Sequence, residues 1–322
     1  MRHYLLPGTL LLLCLVLVPG CRKDSDDTPS EDVGQNNGWT LSWLGQHTTG
    51  VAVTPTCWLR SYISNNSSTF YLMARSTDQG ATWTSWPTGT PICGMTFVSD
   101  SVGFTRCNNI MRRTEDGGHT WTTLATDPGE VVGVPGNPSR LFAIGHATTY
   151  TSIDTGLTWT PLGAEGPGDL VGVMDFVDGS IGYAAMPGAL RRTIDGGVTW
   201  ETVIEEPANS FSKVAHRDAM NGVALVTGPG SSSFLYHTTD AWATYSAVNP
   251  GLFGLIGLLR NDESGDLYAW HSLWLHHSSD LGTTWIQDLM FPPDEEIQGF
   301  LRSGDLLIAW SDGYMATKEV PL

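Results

Sequence analysis

The chain has 322 residues and carries 33 acidic against 16 basic side chains, a formal net charge of −17. This balance argues against nucleic acid as a partner, because binding to a phosphate backbone depends on lysine and arginine. Beyond the first 20 residues, no segment approaches the ~20 continuous apolar residues of a membrane-spanning helix.

Residues 1–20 read as a lipoprotein signal peptide. Their apolar run, 10–18, is too short to cross a bilayer, and the small residue Gly20 stands directly before Cys21, as lipoprotein signal peptidase requires. We therefore predict that Cys21 is lipidated and that the membrane is reached through this N-terminal lipid only. An ordinary secretory leader with a chance cysteine is the alternative.

Residues 21–38 are polar and acidic, with Val33 as their one bulky apolar residue. This composition predicts a disordered tether. A basic residue followed by acids after the lipid cysteine resembles the export signal of Bacteroidetes-type lipoproteins. The resemblance implies the outer membrane and its outer face; the periplasmic face is the alternative.

The rest of the chain, 39–322, repeats variants of the pattern SxDxGxTW six times. Their aspartates are spaced 38, 38, 41, 45 and 40 residues apart: Asp78, Asp116, Asp154, Asp195, Asp240 and Asp280. A period of about 40 residues is typical of propellers, in which each repeat is one four-stranded blade. The second repeat illustrates this, since 92–98, 102–107, 110–114 and 120–124 read as four short strands.

Each box should form the turn between the third and fourth strands of a blade. Its aspartate can accept backbone hydrogen bonds, and its glycine permits a positive φ. The tryptophans that close the boxes should pack between blades and are thus explained by folding: Trp83, Trp121, Trp159, Trp200 and Trp285. The fifth box departs from the pattern, with Trp242 in place of glycine and Tyr245 in place of tryptophan.

Dividing the 284 residues of 39–322 by the mean spacing of about 40 predicts seven blades. The last blade has three strands after the sixth box, and 39–43 resembles a fourth strand. We therefore predict an all-β, seven-bladed propeller whose N-terminal strand joins the C-terminal blade and leaves no free sheet edge. We expect it to be a monomer.

Beyond Cys14 and Cys21, three cysteines remain. Cys93 and Cys107 are equidistant from a predicted hairpin turn near Asp100, so they would face each other on adjacent strands. A disulfide there suits an extracytoplasmic compartment, and two half-buried thiols are the alternative. Cys57 is then left without a partner, and its state is open.

The boxes are similar to the Asp-box, or BNR, repeat, and the second blade resembles the photosystem II stability and assembly factor family. This resemblance covers nearly the whole of 39–322. It implies a seven-bladed propeller that binds other proteins during assembly, without implying photosynthesis. Asp-box repeats also occur in sialidases and some endoglucanases, so an enzyme has to be weighed. The sialidase Arg-Ile-Pro signature is absent, and a pair of endoglucanase acids across a cleft stays open.

Three arginines recur at the ends of successive inner strands: Arg217, Arg260 and Arg302. They could hold an anion on one rim, but each is followed closely by acids, and local ion pairing is the simpler interpretation. Zinc at His271, His276 and His277 is disfavoured, because neighbours on a strand point to opposite faces. The opposite rim should be acidic, and either solvated loops or a basic partner would account for it: Asp127, Glu130, Glu165, Asp169, Glu205, Glu206, Asp294, Glu295, Glu296 and Asp312.

These observations predict a surface-anchored, non-catalytic binding or assembly lipoprotein. A glycan-active or glycan-binding, sialidase-like propeller is the alternative, and the partner is then a glycan rather than a protein. We expect no cofactor, no metal and no catalytic residue. The repeats specify the fold and leave the ligand open.

Overall fold

The computed structural model describes residues 37–45, 47–54, 56–64, 70–145, 148–162, 173–229, 233–248, 257–260, 266–280, 282–303 and 305–320. Cys21 and most of the predicted tether therefore lie outside the described residues. None of the described residues belongs to a helix long and apolar enough to cross a membrane.

The described residues are organised as strands: β1 Thr40–Trp43, β2 His47–Val53, β3 Trp58–Ser64, β4 Phe70–Ser76, β5 Thr84–Pro87, β6 Met95–Phe97, β7 Gly103–Cys107, β8 Ile110–Thr114, β9 Thr122–Thr123, β10 Glu130–Val134, β11 Asn137–Ile144, β12 Thr149–Ser152, β13 Thr160–Pro161, β14 Val173–Phe176, β15 Gly182–Thr193, β16 Glu201–His216, β17 Gly222–Thr227, β18 Ser233–Thr238, β19 Ser246–Val248, β20 Gly257–Arg260, β21 Leu267–His271, β22 Trp274–Ser278, β23 Ile286–Met290, β24 Gly299–Ser303, β25 Leu306–Trp310 and β26 Tyr314–Glu319.

Antiparallel pairing joins these strands into six sheets, the blades of a propeller. We number the sheets along the chain: the first holds β2–β5, the second β6–β9, the third β10–β13, the fourth β14–β19, the fifth β20–β23, and the sixth β24–β26 with β1. In the sixth sheet Thr40 lies opposite Thr317 and Trp43 opposite Tyr314, so the N-terminal strand completes the C-terminal sheet.

The prediction of seven blades is wrong, since the described strands form six sheets. The difference lies in the fourth sheet, which has six strands where the others have four. Strand β16 is 16 residues long; Glu201 to Glu205 pairs with β15, and Ser210 to His216 pairs with β17. The backbone stays extended between these stretches, so two of the predicted blades share one continuous strand.

Apolar residues from facing sheets form the core. Between the third and fourth sheets, Phe142 stacks on Phe176 with ring centroids 5.1 Å apart, and Trp200 meets Phe142 edge-on at 6.5 Å. The predicted box tryptophans all occupy such seams. Trp121, for example, belongs to the second sheet and packs against Leu59 and Met73 of the first. A sheet has two apolar faces, so stacking sheets around a ring covers both.

Candidate functional site

All six box turns share one hydrogen-bond pattern. Four residues after each aspartate, a threonine donates its N–H to Oδ1 at 2.8–3.0 Å and its hydroxyl to Oδ2 at 2.5–2.7 Å. A serine or threonine two residues before the aspartate donates its hydroxyl to Oδ1 and accepts backbone N–H groups. The box aspartates are thus occupied within their own turns.

These hydrogen bonds lower the pKa of the box carboxyls. Donation from Thr82 lowers the pKa of Asp78 to about 2, and donation from Thr158 does the same for Asp154. At Asp195 burial alone would raise the pKa, but hydrogen bonds, chiefly from Thr199, outweigh it and the pKa falls to about 2. The carboxylates stay charged and hydrogen-bonded at neutral pH, which suits a structural role.

The fifth box compensates for its two departures from the pattern. Trp242 is 2% exposed, and its indole N–H donates to Nε2 of His216 at 2.9 Å. Because an indole can only donate, Nε2 must accept, and Nδ1 then carries the proton shared with Asp175 at 2.9 Å. Tyr245 donates its hydroxyl to Glu206 at 2.6 Å.

The three arginines of the predicted anion rim do not share one environment in the structure. Arg217 is exposed in the turn after β16, beside Asp218. Arg302 is half-buried and lies close enough to Tyr268 to influence its ionisation. Arg260 belongs to β20, and its side chain lies outside what the structure describes. No shared anion site emerges from the two arginine side chains that are described.

The histidines of the fifth sheet are arranged as strand alternation predicts. His276 stacks on His271 with ring centroids 5.2 Å apart, whereas His277 faces Asp266 at 3.2 Å. Burial, with a smaller contribution from the charge of His271, lowers the pKa of His276 to about 4. Within the part of the chain that the structure describes, no group of three potential metal ligands occurs.

Four of the eight described acids on the predicted acidic rim have a partner in the protein. Asp127 accepts from Arg106, Glu206 accepts from Tyr236 at 2.8 Å, and Glu295 accepts from Ser311 at 2.6 Å. Asp312 pairs with His47. Half of the described rim acids are thus paired within the protein, whereas Glu165 and Asp169 lie outside the described residues.

Glu130 and Glu205 differ from these paired acids. Both carboxylates are exposed, and among the described residues neither takes part in a hydrogen bond or an ion pair. Glu130 begins β10, whereas Glu205 lies within β16, opposite Ala189 of β15; both belong to the predicted acidic rim. Glu130 borders a cavity, which makes it a candidate for contacting a ligand.

That cavity, which we call the intersheet cleft, lies between the second and third sheets and has a volume of about 330 Å³. Its lining comes from β6 and the residue before it, from β7 and β8, and from the start of β10: Gly94, Met95, Thr96, Phe104, Thr105, Arg106, Met111, Glu130 and Val131. Phe104, Met111 and Val131 are at most 5% exposed and form an apolar floor. Polar groups stand around this floor, an arrangement typical of ligand sites.

Arg106 separates the intersheet cleft from a second cavity of about 330 Å³. Its Nε lies 2.9 Å from both oxygens of Asp127, and its Nη2 donates to Asn109 at 3.0 Å. The tight turn 108–109 positions Asn109, since Asn108 and Asn109 have φ values of 51° and 60°, as hairpin turns of this length require. The two cavities thus adjoin each other on either side of an anchored guanidinium.

A disulfide joins the segment just before β6 to the end of β7, on the wall of the cleft. Cys93 directly precedes the lining residue Gly94, and Cys107 directly follows Arg106; their Cα atoms are 5.4 Å apart. Thr105 adds a hydrogen bond to the carbonyl oxygen of Gly94 at 3.1 Å. The wall is therefore rigid before any ligand arrives, which lowers the entropic cost of binding. Cys57 is buried as a free thiol.

The sequence predicts Asp127 and Glu130 on the acidic rim but does not predict the cleft. The sequence does not mark Arg106 as a site residue, because its role depends on Asp127, 21 residues away. The signals that could have indicated the site are the asparagine pair at 108–109 and Gly129, whose φ of +107° lets the chain enter β10 beside Ile144.

No family model matches the chain, and no curated protein matches it. Solved structures do. YCF48 bound to a D1 peptide superposes with a TM-score of 0.63 at 18% identity, covering 88% of this chain and 98% of that one. An ancestral GH74 enzyme gives 0.62 at 12% identity, with 87% and 44% covered. The extracellular domain of a putative hybrid two component system from B. thetaiotaomicron gives 0.64 at 11%, with 89% and 40% covered.

Together the six sheets and these similarities define the class: the protein is an all-β propeller. In fold it resembles YCF48, which it matches over nearly the full length of both chains. At these identities the likeness shows the fold alone, because propellers host both binding modules and glycosidases.

Proposed function

We propose that this chain is a non-catalytic, surface-anchored lipoprotein that binds a segment of another protein and acts as an assembly or scaffold module. The observation that carries the proposal is the intersheet cleft. It offers a rigid apolar floor with a few polar groups around it, next to a second cavity across Arg106. Such a surface can take an extended segment of a partner. YCF48, which has the same fold, has been solved with a bound peptide.

The ionisation of the carboxyl groups supports binding over hydrolysis. A glycosidase needs a general acid whose pKa is raised above its usual range. Where the carboxyl groups of the described residues shift, as at Asp78, Asp116, Asp218 and Glu206, the shift is downward. These groups are hydrogen-bonded as carboxylates, which makes them poor proton donors.

The alternative is a glycan-binding or glycan-active propeller, and one observation favours it: GH74 enzymes share the fold. One experiment separates the two functions. The exported protein is screened in parallel against a displayed library of random peptides and against a glycan panel, with hydrolysis followed by mass spectrometry. We expect peptide binders and intact glycans. Cleavage of any glycan would overturn the proposal.

The proposal includes the cellular location of the protein. Cys21 carries the lipid, 21–38 is the tether, and the propeller is displayed on the outer membrane. Cys21→Ser should release the protein into the soluble fraction, because a chain without a lipid has no anchor. Fractionation and mass spectrometry of the mature N-terminus check this. A wild-type protein that is soluble, or a mature chain without a lipid on Cys21, would refute the anchor. Protection of the wild-type protein from protease added to intact cells would favour the periplasmic face.

A further inference from the structure

The cleft has a definite charge. Arg106 and Asp127 neutralise each other through a paired contact, with Nε 2.9 Å from both carboxylate oxygens. Glu130 adds a further negative charge at the mouth, and no described residue pairs with it. The mouth therefore carries one unbalanced negative charge above an apolar floor.

An anionic ligand fits this arrangement poorly. The Arg106 guanidinium already donates to Asp127 and to Asn109, and a second anion beside it would approach both Asp127 and Glu130. Like charges at such a site repel each other. A neutral apolar ligand would fill the floor but would leave Glu130 at the mouth without a counter-charge.

A long cationic side chain satisfies both parts of the cleft. Lysine and arginine bury their aliphatic stems along apolar surface and keep their charged heads at its edge. The flexible thioethers of Met95 and Met111 can adapt to such a stem. A volume of about 330 Å³ is at the lower end of the range for small-ligand pockets, about 300–1,000 Å³, and suits one long side chain.

We propose that the intersheet cleft binds a lysine or arginine side chain of an extended partner segment, with its stem against Met95, Met111 and Val131 and its charge on Glu130. The adjoining cavity across Arg106 would take the neighbouring residues of the segment. This inference rests on the proposed binding function and specifies the chemistry of its partner. The net charge of −17 would also favour the approach of a basic segment.

The test begins with peptides selected from a displayed library on the full exported protein. We expect lysine or arginine to recur at one position of the selected sequences. Replacing that residue by norleucine, which keeps the stem and removes the charge, should weaken binding about fivefold, the strength of a partly exposed ion pair. In Glu130→Gln the same replacement should have no further effect, since the charge contact is already gone.

Matched variants separate the charge of the cleft from its shape. Glu205→Gln removes an exposed, unpaired carboxylate from the same rim and should leave affinity unchanged, so a loss there would indicate a general charge effect. Gly94→Leu adds a side chain to the cleft lining at a position where a Cβ meets no atom within 4 Å, and it should block binding. Gly133→Leu, on the exposed part of β10 beyond the cleft, should not.

The outcomes separate the inference from the function on which it rests. Selected peptides without a cationic preference, or with one that Glu130→Gln leaves intact, would overturn the proposal that the cleft binds a cationic side chain. The proposed binding function would still stand. A selection that yields no peptide binder would overturn both. Equal losses in Glu130→Gln and Glu205→Gln would also overturn the inference, because net charge would then explain the preference.

Discussion

At the scale of single residues, the box carboxylates make the protein sensitive to acid. The ordinary pKa of an aspartate is 3.8, and hydrogen bonds lower that of Asp78, Asp154 and Asp195 to about 2 in the folded state. A group whose folded pKa is depressed contributes its full stability above the unfolded value and loses it as the pH falls through the folded one. The window lies between about pH 4 and pH 2.

We therefore expect the melting temperature to be nearly constant from pH 7 to pH 5 and to fall steeply between about pH 4 and 2. The triple variant Asp78→Asn, Asp154→Asn, Asp195→Asn should be less stable at pH 7 and should show a shallower fall within that window. Thermal unfolding followed by circular dichroism checks this. Asp305→Asn, at an exposed turn, is the control. Parallel acid profiles for the triple variant and the wild type would contradict the account.

His216 and Trp242 are substitutions that suit each other. Phe97 and Phe176 cover the glycines that begin β7 and β15, and His216 covers Gly222 in the same way. The other boxes have glycine at the position of Trp242, whose own φ is 71°. The indole packs in an apolar cluster formed by residues of the fourth sheet and donates to His216, so each residue makes the other acceptable.

A double-mutant cycle with His216→Phe and Trp242→Gly measures this dependence. Each single variant should lower the free energy of unfolding by about 2–4 kcal/mol, because it leaves a buried polar atom unpaired or a cavity behind. The double variant restores the common residue pair and should cost at least about 1 kcal/mol less than the sum of the single variants. Urea unfolding gives the three values, and strict additivity would show that the two residues are independent.

At the scale of elements, the ring is closed by more than the β1–β26 ladder. The indole of Trp39, just before β1, donates to Oδ2 of Asp288 at 3.0 Å, and Lys318 of β26 lies 2.9 and 3.0 Å from the two oxygens of the same carboxylate. Asp288 belongs to the fifth sheet and is 2% exposed. A buried carboxylate thus ties the N-terminal strand and the C-terminal strand to the preceding sheet.

Asp288→Ala should lower the free energy of unfolding by about 3 kcal/mol, because it leaves an indole N–H and an ammonium without their acceptor. It should also speed proteolytic cleavage near β1. Glu319→Gln, an exposed change at the end of β26, is the matched control and should have little effect. Wild-type stability and wild-type cleavage near β1 in Asp288→Ala would show that the strand is held by its ladder alone.

At the scale of the whole molecule, the sequence predicts the propeller well, because each box repeats the same local chemistry. The turn at Asp154, for example, needs only residues within four positions of it. The strand that closes the ring was likewise predictable, because 40–43 resembles the fourth strands elsewhere. Local repetition does not reveal where one sheet ends, so the continuity of β16 through Pro207 was missed and the number of blades was predicted wrongly.

The binding surface was less predictable for a related reason. The cleft depends on the separation of two sheets and on the contact between Arg106 and Asp127, neither of which follows from periodicity. Its charge could be anticipated from the acids near 127–130. Its apolar floor could not, because Phe104 and Val131 have the same burial pattern as core residues in every other sheet.

Hydrogen–deuterium exchange of the full exported protein, with and without a selected peptide, tests the central claim most directly. The account predicts that added protection is concentrated in 94–96, 104–106 and 130–131, the segments that line the cleft. Glu130→Gln should reduce that protection, whereas Glu205→Gln should not. Protection confined to the box turns on the opposite rim, with 94–96 and 130–131 unchanged, would contradict the account.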